Sequence, residues 1–495
     1  MLLQPGLTCW RVAQADRVAF LLDTAAYFAA ARSAMLEARR SIHILGWAFD
    51  PETRLAPDVE GKGAAVGEFL KELACARAEL DVRLLVWKSA LPIAASQHFF
   101  PHRARRCFHG TPVKFRLDES VPLGACHHQK VLVIDDQLAF VGGGDIATDR
   151  WDTVRHLDDD GRRTMPWGGR HGPRHEVMAM IEGQAAAELG ELVRERWVRA
   201  TDIRPAPDPH GAPTPNLWPA GIKPEFETAE VGIARTEPGW RRFPEVRETE
   251  RLHLAAIGAA KRLIYLENQY IASPIYAEAL AARLRDPHGP EVVIVSTAKA
   301  PSWFDQMTMD RTRSKFLATL RAADAHGRFR AYSPYTRRGR AIIVHSKVSI
   351  IDDRLLRAGS SNLNNRSTGF DTECDIAVEA QEGEAGAATR AAIALYRAKA
   401  AAHFIHAEPA VLARLHAETG SLAKAIDALN GARRLRPLAP QPLGPLAELI
   451  AAFHLGDPAD TEDSWRPWRR KANIELARRQ FIQDLTTTIN DGRLR

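Results

Sequence analysis

The sequence has few cysteines and no long apolar run. The five cysteines are few, odd in number and without a CxxC pair, which argues against a disulfide framework and against a zinc site. No stretch approaches the roughly 18 apolar residues of a membrane-spanning helix. The N-terminus lacks a basic region followed by an apolar one, so we expect no signal peptide. These absences predict a cytoplasmic location or peripheral attachment at the inner membrane, and signal-independent export is compatible with them.

Charge and composition narrow the function only slightly. The net charge of +6 over 495 residues is mildly basic, as suits a protein that meets anionic phosphates, but an Arg-rich proteome would give the same value. The length allows two to four domains.

An internal repeat is the most informative feature of the chain. Three pairs of similar segments occur in the same order, each pair separated by a little over two hundred residues. The pairs are SIHILGWAF (41–49) with LIYLENQY (263–270), DVRLLVW (81–87) with EVVIVST (291–297), and HHQKVLVIDDQLAFVGGGDI (127–146) with VHSKVSIIDDRLLRAGSSNL (344–363). The repeat predicts two similar halves.

Strand patterns alternate with helical patterns in both halves, which favours an α/β fold. We predict two α-β-α sandwich lobes related by pseudo-two-fold symmetry, at residues 1–200 and 225–407. A Pro- and Gly-rich linker at 201–224 joins them, and a mainly helical extension follows at 408–495. We expect the protein to be a monomer.

Each repeat contains the pattern His-x-Lys-x4-Asp followed by a turn of small residues. The motif residues are His128, Lys130 and Asp135 in the first half, and His345, Lys347 and Asp352 in the second. On a strand, residues i and i+2 share a face, so each imidazole lies beside an ammonium group. This juxtaposition suits attack on a phosphate. The odd spacing of the aspartates points them away from that face and favours a structural role.

The turns are candidate substrate-binding elements. Gly143 and Asp145 in the first half correspond to Ser360 and Asn362 in the second, and both polar residues lie 17 positions beyond their histidine. Small residues there let the backbone approach a ligand.

These residues resemble the HKD motifs of the phospholipase D superfamily, over roughly residues 15–405. The segments ILGWAFDPE, IYLENQY and SSNLNNRSTGFDTECDIAVE are similar to those of eukaryotic-type phospholipases D and related bacterial enzymes. The resemblance implies the internally duplicated phospholipase D-like fold, with one active site at the seam between the lobes.

The resemblance also implies a mechanism through a phosphohistidine. It makes His128 the nucleophile and His345 the general acid and then base. Lys130, Lys347 and Asn362 would bind the phosphoryl oxygens. No metal or other cofactor is required, because two lysines and a histidinium already neutralise the charge.

Each imidazole needs a carboxylate to fix its tautomer. The family pattern pairs His345 with Glu373, 28 residues downstream. We expect Glu176, in the run His-Glu-Val where larger family members usually have His-Asp-Val, to serve His128.

The predicted function is hydrolysis of phospholipid headgroups at a membrane surface, with water or an alcohol as acceptor. One alternative is a cardiolipin-synthase-like phosphatidyltransferase, although the usual N-terminal anchor is not seen. Another is a phosphodiesterase acting on nucleic acid, but we expect no nucleic-acid partner. From a different class, the chain could be an inactive lipid-binding scaffold; two complete motifs argue against that.

Overall fold

One mixed sheet runs through both halves of the chain, with 16 strands among the described residues. The computed structural model describes residues 1–57, 63–89, 100–208, 216–301, 303–440, 444–465 and 475. Most central strands are short runs rich in Val, Ile and Leu, which form strands buried on both faces.

The first half alternates strands and helices. Its strands are β1 (Arg11–Leu22), β2 (Ser41–Gly46), β3 (Asp81–Trp87), β4 (Lys114–Asp118), β5 (Val131–Ile134), β6 (Leu138–Gly142), β7 (Arg174–His175) and β8 (Val177–Glu182). Its helices are Thr24–Glu37, Val66–Ala76, Phe100–Phe108 and Gln184–Thr201.

The second half repeats this order. Its strands are β9 (Phe226–Glu237), β10 (Val246–Arg247), β11 (Leu263–Glu267), β12 (Glu291–Val295), β13 (Phe329–Pro334), β14 (Ile343–Val344), β15 (Val348–Ile351), β16 (Leu355–Gly359) and β17 (Glu373–Glu379). Its helices are Glu248–Ala259, Pro274–Arg285, Trp303–Ala323, Arg366–Gly369 and Ala387–Ile405, with a 3₁₀ turn at Glu384–Gly386. The C-terminal region adds Pro409–Thr419, Leu422–Leu429, β18 (Leu435–Pro437), Pro445–Ala452 and Thr461–Trp465.

The strand order shows the pseudo-two-fold symmetry. The first half runs β4-β3-β2-β5-β6-β8-β1 and the second runs β13-β12-β11-β15-β16-β17-β9. The two series meet where β1 and β9 pair antiparallel, from Arg11 opposite Ile233 to Val18 opposite Phe226. The predicted α/β architecture of two similar lobes is therefore confirmed, and the lobes share one continuous sheet.

Helices cover both faces of the sheet. On one face, helices Gln184–Thr201 and Ala387–Ile405 pack into a single apolar core shared by both halves. On the other face each half has its own core. The shared core and the β1–β9 pairing hold the halves in a fixed relation, which fixes the site at their junction.

Two predicted segments lie partly outside the described residues. Residues 209–215 of the predicted linker are outside them, as is most of the predicted C-terminal extension beyond residue 465. The domain boundaries stay a prediction. Among the helices that the structure describes, none is both long and apolar enough to cross a bilayer.

Candidate active site

The paired His and Lys residues lie directly before two equivalent strands. His128 and Lys130 precede β5, and His345 and Lys347 precede β15. Each lysine Nζ donates to the carbonyl of its own histidine, at 3.0 Å for Lys130 and 2.6 Å for Lys347. Both lysines are buried, so each cation lies beside an imidazole with little water around it.

Short backbone bridges tie each motif to the opposite half. β14, which leads into the second motif, pairs in parallel with β7 of the first half. The amide of His345 donates to the carbonyl of His175 at 2.8 Å. The residue after His175 is Glu176, and its Oε2 lies 2.5 Å from Nδ1 of His345.

The first motif is held in the equivalent way. His127 forms a parallel bridge with Thr372, and the amide of His128 donates to the Thr372 carbonyl at 3.2 Å. The next residue is Glu373, whose Oε2 lies 2.9 Å from Nδ1 of His128. Each catalytic candidate therefore takes its carboxylate from the other half.

The predicted pairing of histidines with carboxylates is therefore wrong. The family spacing led us to place Glu373 with His345 and Glu176 with His128, but the structure exchanges them. The reason is topological. Each carboxylate follows a residue that forms a short parallel β-bridge with the opposite half of the chain. It therefore contacts the histidine of the opposite half, although the other histidine is nearer in sequence.

Serine hydroxyls surround Glu373. Ser367 Oγ donates to its Oε1 at 2.6 Å, and Ser360 Oγ donates to its Oε2. Burial raises the pKa of Glu373, and the two hydroxyls oppose that rise. Ser360 was predicted to contact substrate; its hydroxyl is instead occupied by Glu373, so it positions the carboxylate.

The two turn residues differ in their surroundings. Asp145 Oδ1 accepts hydrogen bonds from the amides of Trp47 and Ala48 at 2.9 and 3.1 Å, and its Oδ2 lies 3.5 Å from Lys130 Nζ. Asn362 is also buried, and its backbone amide donates to Ser367 Oγ at 3.0 Å. Its side-chain Oδ1 has no hydrogen-bond partner among the described residues.

Gly143 lies where the two motifs meet. A Cβ at this position would be 2.6 Å from Glu176 Oε1, 2.8 Å from the carbonyl oxygen of His345 and 3.1 Å from Lys347 Cδ. Only a residue without a side chain leaves room for that approach. The contact also shows that the turn of the first motif touches the second motif.

The two aspartates of the motifs are structural. Asp135 accepts hydrogen bonds from the backbone amides of Arg39, Arg40 and Ser41, each at 2.8 Å. Asp352 accepts three in the same way, from the amides of residues 261–263. Both have positive φ angles near 50°. They fix the tight turn after each motif strand to the strand beside it and do not reach the phosphate face.

Burial and positive charge set the protonation of the site. Burial, with the cations of Lys130 and Lys347, holds the pKa of His128 well below its usual range. Burial and Lys347 do the same to the pKa of His345. Burial raises the pKa of Glu176 to about 7 and lowers the pKa of Lys347 to about 7. Both lysines act on both imidazoles, so the motifs form one electrostatic unit.

Sequence reasoning missed two buried arginines near the second histidine. Arg150 and Arg174 both help to lower the pKa of His345. Arg150 follows the first turn and Arg174 begins β7. The sequence signal for Arg174 was its position directly before the run His175-Glu176-Val177, which leads into an apolar strand pattern.

Family models match both halves of the chain. The model described as "Phospholipase D" matches residues 34–207, and the one described as "Cardiolipin synthase, PLD-like domain" matches residues 254–392. Together they cover more than half of the sequence. The chain belongs to the phospholipase D superfamily.

Curated proteins of the phospholipase D superfamily are similar over most of this chain. Phospholipase D1 of Saccharomyces cerevisiae is 25% identical over 450 residues, which cover 72% of this chain and 26% of the yeast protein. Phospholipase D alpha 4 of Arabidopsis thaliana is 25% identical over 456 residues, covering 70% of this chain and 59% of the plant protein. The chain thus spans less than two thirds of the length of these relatives.

A solved structure of phosphatidylserine synthase from Haemophilus influenzae Rd KW20 matches both halves, with a TM-score of 0.53 at 11% identity. The match covers 94% of this chain and 96% of that one. The predicted phospholipase D-like fold is therefore confirmed.

The site offers the groups that phosphodiester chemistry in the phospholipase D superfamily needs. Both imidazoles have Nδ1 on a carboxylate, and neither Nε2 makes a hydrogen bond to a described residue. Two lysines supply positive charge beside them. Such a set could attack phosphorus with one imidazole and protonate the leaving group with the other.

Proposed function

We propose that this chain is a phospholipase D-like phosphodiesterase that releases headgroups from membrane phospholipids through a phosphohistidine intermediate. One observation carries the proposal: each imidazole is held at Nδ1 by a carboxylate from the opposite half, at 2.9 Å for His128 and 2.5 Å for His345. Holding Nδ1 fixes the tautomer, so Nε2 of each ring is the reactive atom.

In the first step, Nε2 of His128 attacks phosphorus. A P–N bond forms while the P–O bond to the headgroup breaks, and the proton on Nε2 of His345 passes to the departing oxygen. Lys130 and Lys347 balance the negative charge on the phosphoryl oxygens, and Asn362 adds a donor from its side-chain amide.

In the second step, His345 acts as a base. Its Nε2 takes a proton from water or an alcohol, the oxygen attacks phosphorus, and the P–N bond to His128 breaks. The products are phosphatidic acid with water, or a new phosphatidyl ester with an alcohol. Both histidines return to their starting protonation states.

The surroundings of the two carboxylates support this assignment of roles. Glu373 accepts hydrogen bonds from two hydroxyls besides its contact with His128, and both hydroxyls oppose the rise of its pKa that burial causes. No hydroxyl of the described residues bonds Glu176 in this way, and burial raises the pKa of Glu176 to about 7. That pair can hold a second proton near neutral pH, as a general acid must.

The family matches support a lipid substrate, since the first half matches a model described as "Phospholipase D" and the relatives carry that name. The match of the second half to "Cardiolipin synthase, PLD-like domain" favours one further candidate, transfer of the phosphatidyl group to a lipid alcohol. Both reactions use the same intermediate and differ only in the acceptor.

The test uses purified protein with vesicles of phosphatidylcholine, phosphatidylethanolamine or phosphatidylglycerol, with and without a primary alcohol. Released headgroup, phosphatidic acid, phosphatidylalcohol and cardiolipin are measured. We expect headgroup release, and phosphatidylalcohol when the alcohol is present. Cardiolipin from phosphatidylglycerol as the main product would instead favour the transferase.

His128→Gln and His345→Gln should each reduce headgroup release by at least a thousandfold. His253→Gln is the control, because His253 is a buried histidine that belongs to neither motif and donates from Nδ1 to the carbonyl of Thr249 within its own helix. Near-native turnover in either motif variant refutes the mechanism. Cleavage of DNA with no release from any lipid refutes the substrate class.

A further inference from the structure

Four side chains that could bind a metal converge behind the active site, and three of them are free to do so, because both ring nitrogens of the fourth, His175, already contact Asp23 and Glu267. Asp23 lies between β1 and the helix Thr24–Glu37, His156 lies in the loop after the first motif, and His403 belongs to the helix Ala387–Ile405. Their side chains are at most 5% exposed. Histidine and carboxylate are common ligands of zinc and related metals.

The three ligand atoms form a nearly equilateral triangle. Nε2 of His156 lies 3.0 Å from Nε2 of His403, and Oδ2 of Asp23 lies 3.5 Å from the first nitrogen and 3.4 Å from the second. A tetrahedral zinc ion with ligand bonds of 2.0–2.1 Å has ligand-to-ligand edges of about 3.3 Å. The observed triangle therefore has the size of one face of such a tetrahedron.

The remaining polar atoms of two of these ligands are already occupied. Nδ1 of His156 is 3.0 Å from Asp152 Oδ2, which turns Nε2 of that ring into the cluster. Oδ1 of Asp23 is 2.9 Å from Nδ1 of His175 and 3.2 Å from the amide of Glu176. Carboxylates that orient a ligand histidine in this way are typical of metal sites.

Asp23 Oδ2 is left without a hydrogen bond among the described residues, although the side chain is fully buried. His175 pairs with Oδ1 of the same carboxylate, so Oδ2 alone lacks a donor, and a buried carboxylate oxygen without a donor is costly unless a cation lies beside it. Two imidazole nitrogens that face each other at 3.0 Å also offer at most one N–H···N hydrogen bond between them. A cation inside the triangle would satisfy all three atoms together.

We propose that Asp23, His156 and His403 bind one divalent transition-metal ion, with zinc as the best match to the ligand types and spacing. His175 holds the other oxygen of Asp23 and so fixes the carboxylate.

The site is structural in this proposal and takes no part in the phosphoryl step. It joins the start of the first half, the loop after the first motif and the last helix of the second half. The amide of Asp23 also donates to the Glu176 carbonyl at 2.8 Å, so the ion would hold the strand that presents Glu176 to His345. Loss of the metal should therefore lower stability first.

The experiment measures metal content and metal-dependent stability. Full-length protein is purified without a histidine tag and its zinc is measured by elemental mass spectrometry. We expect about one zinc per chain, a fall in melting temperature after extraction with a chelator, and recovery on adding zinc alone. Reconstitution of the wild-type protein with Co²⁺ should give the visible absorption of a tetrahedral site. This test requires no variant.

His403→Gln and Asp23→Asn should each lower zinc affinity at least tenfold, while the buried control His253→Gln should keep it. A wild-type protein that contains no metal and binds neither zinc nor Co²⁺ overturns the proposal. Equal metal content in the ligand variants and the wild type also overturns it. The vesicle assay is scored separately, so failure of either proposal leaves the other testable.

Discussion

Exchange of the carboxylates between the halves can be tested by comparing Glu176→Gln with Glu373→Gln. Because Glu176 serves His345, its loss should impair the general acid and spare the nucleophile. The variant loses one charge-assisted hydrogen bond, worth about 1.5–3 kcal/mol, and part of a general-acid factor of about 10²–10⁴. We expect release of an alkoxide headgroup such as choline to fall by about 10²–10³-fold. Glu373→Gln should weaken the nucleophile with every substrate.

The deciding assay uses two leaving groups. A phosphatidyl ester of 4-nitrophenol needs no protonation, so its pre-steady-state burst reports attack by His128 alone. Glu176→Gln should keep this burst while losing choline release, and Glu373→Gln should lose both. The reverse pattern would refute the exchanged pairing.

Burial raises the pKa of Glu176 in the folded protein to about 7, above the ordinary value of about 4.5. The free energy of unfolding should therefore decline as the pH rises from about 4.5 towards 7, and the Glu176→Gln variant should lack that decline.

Three further predictions follow from the site. The kcat/KM for phospholipid hydrolysis should fall above about pH 7, because Lys347 then loses its charge and the Glu176 pair loses its second proton; a rate still rising above that pH would contradict these shifts. Gly143→Ala should reduce headgroup release at least tenfold because its Cβ would collide with the second motif, whereas Gly161→Ala, which has open space, should behave like wild type. Asp352→Ala should lower the free energy of unfolding by about 2–3 kcal/mol, because three backbone amides lose their acceptor, and urea titration that shows no change would contradict the anchoring role.

Repetition explains why the core of the site could be predicted from the sequence. The His, Lys and Asp of each motif recur at the same spacing, so each copy supports the other. The odd spacing of Asp135 and Asp352 also indicated that they face away from the lysines, and both hold backbone amides instead. Local strand geometry was sufficient for these conclusions.

The partners of the histidines depend on contacts that no local pattern encodes. Glu373 lies 28 residues beyond His345, yet it contacts His128, because two short parallel bridges carry each carboxylate to the opposite half. The cluster around Asp23 and His403 was missed for the same reason. Its members come from separate segments without a spacing motif, and only the folded sheet brings them together.

The exchange of carboxylates has the form of an isologous dimer interface. In such an interface, residue i of the first subunit contacts residue j of the second, and residue j of the first contacts residue i of the second. A single half would hold its histidine without the acid that orients it, and an isolated N-terminal fragment would also expose β1 as a long unpaired edge. Joining the two copies in one chain removes the requirement that they stay identical. The serines around Glu373 and the arginines near His345 are differences that a symmetric dimer could not have acquired separately. In the proposed mechanism, these differences would let one imidazole specialise in attack and the other in proton transfer.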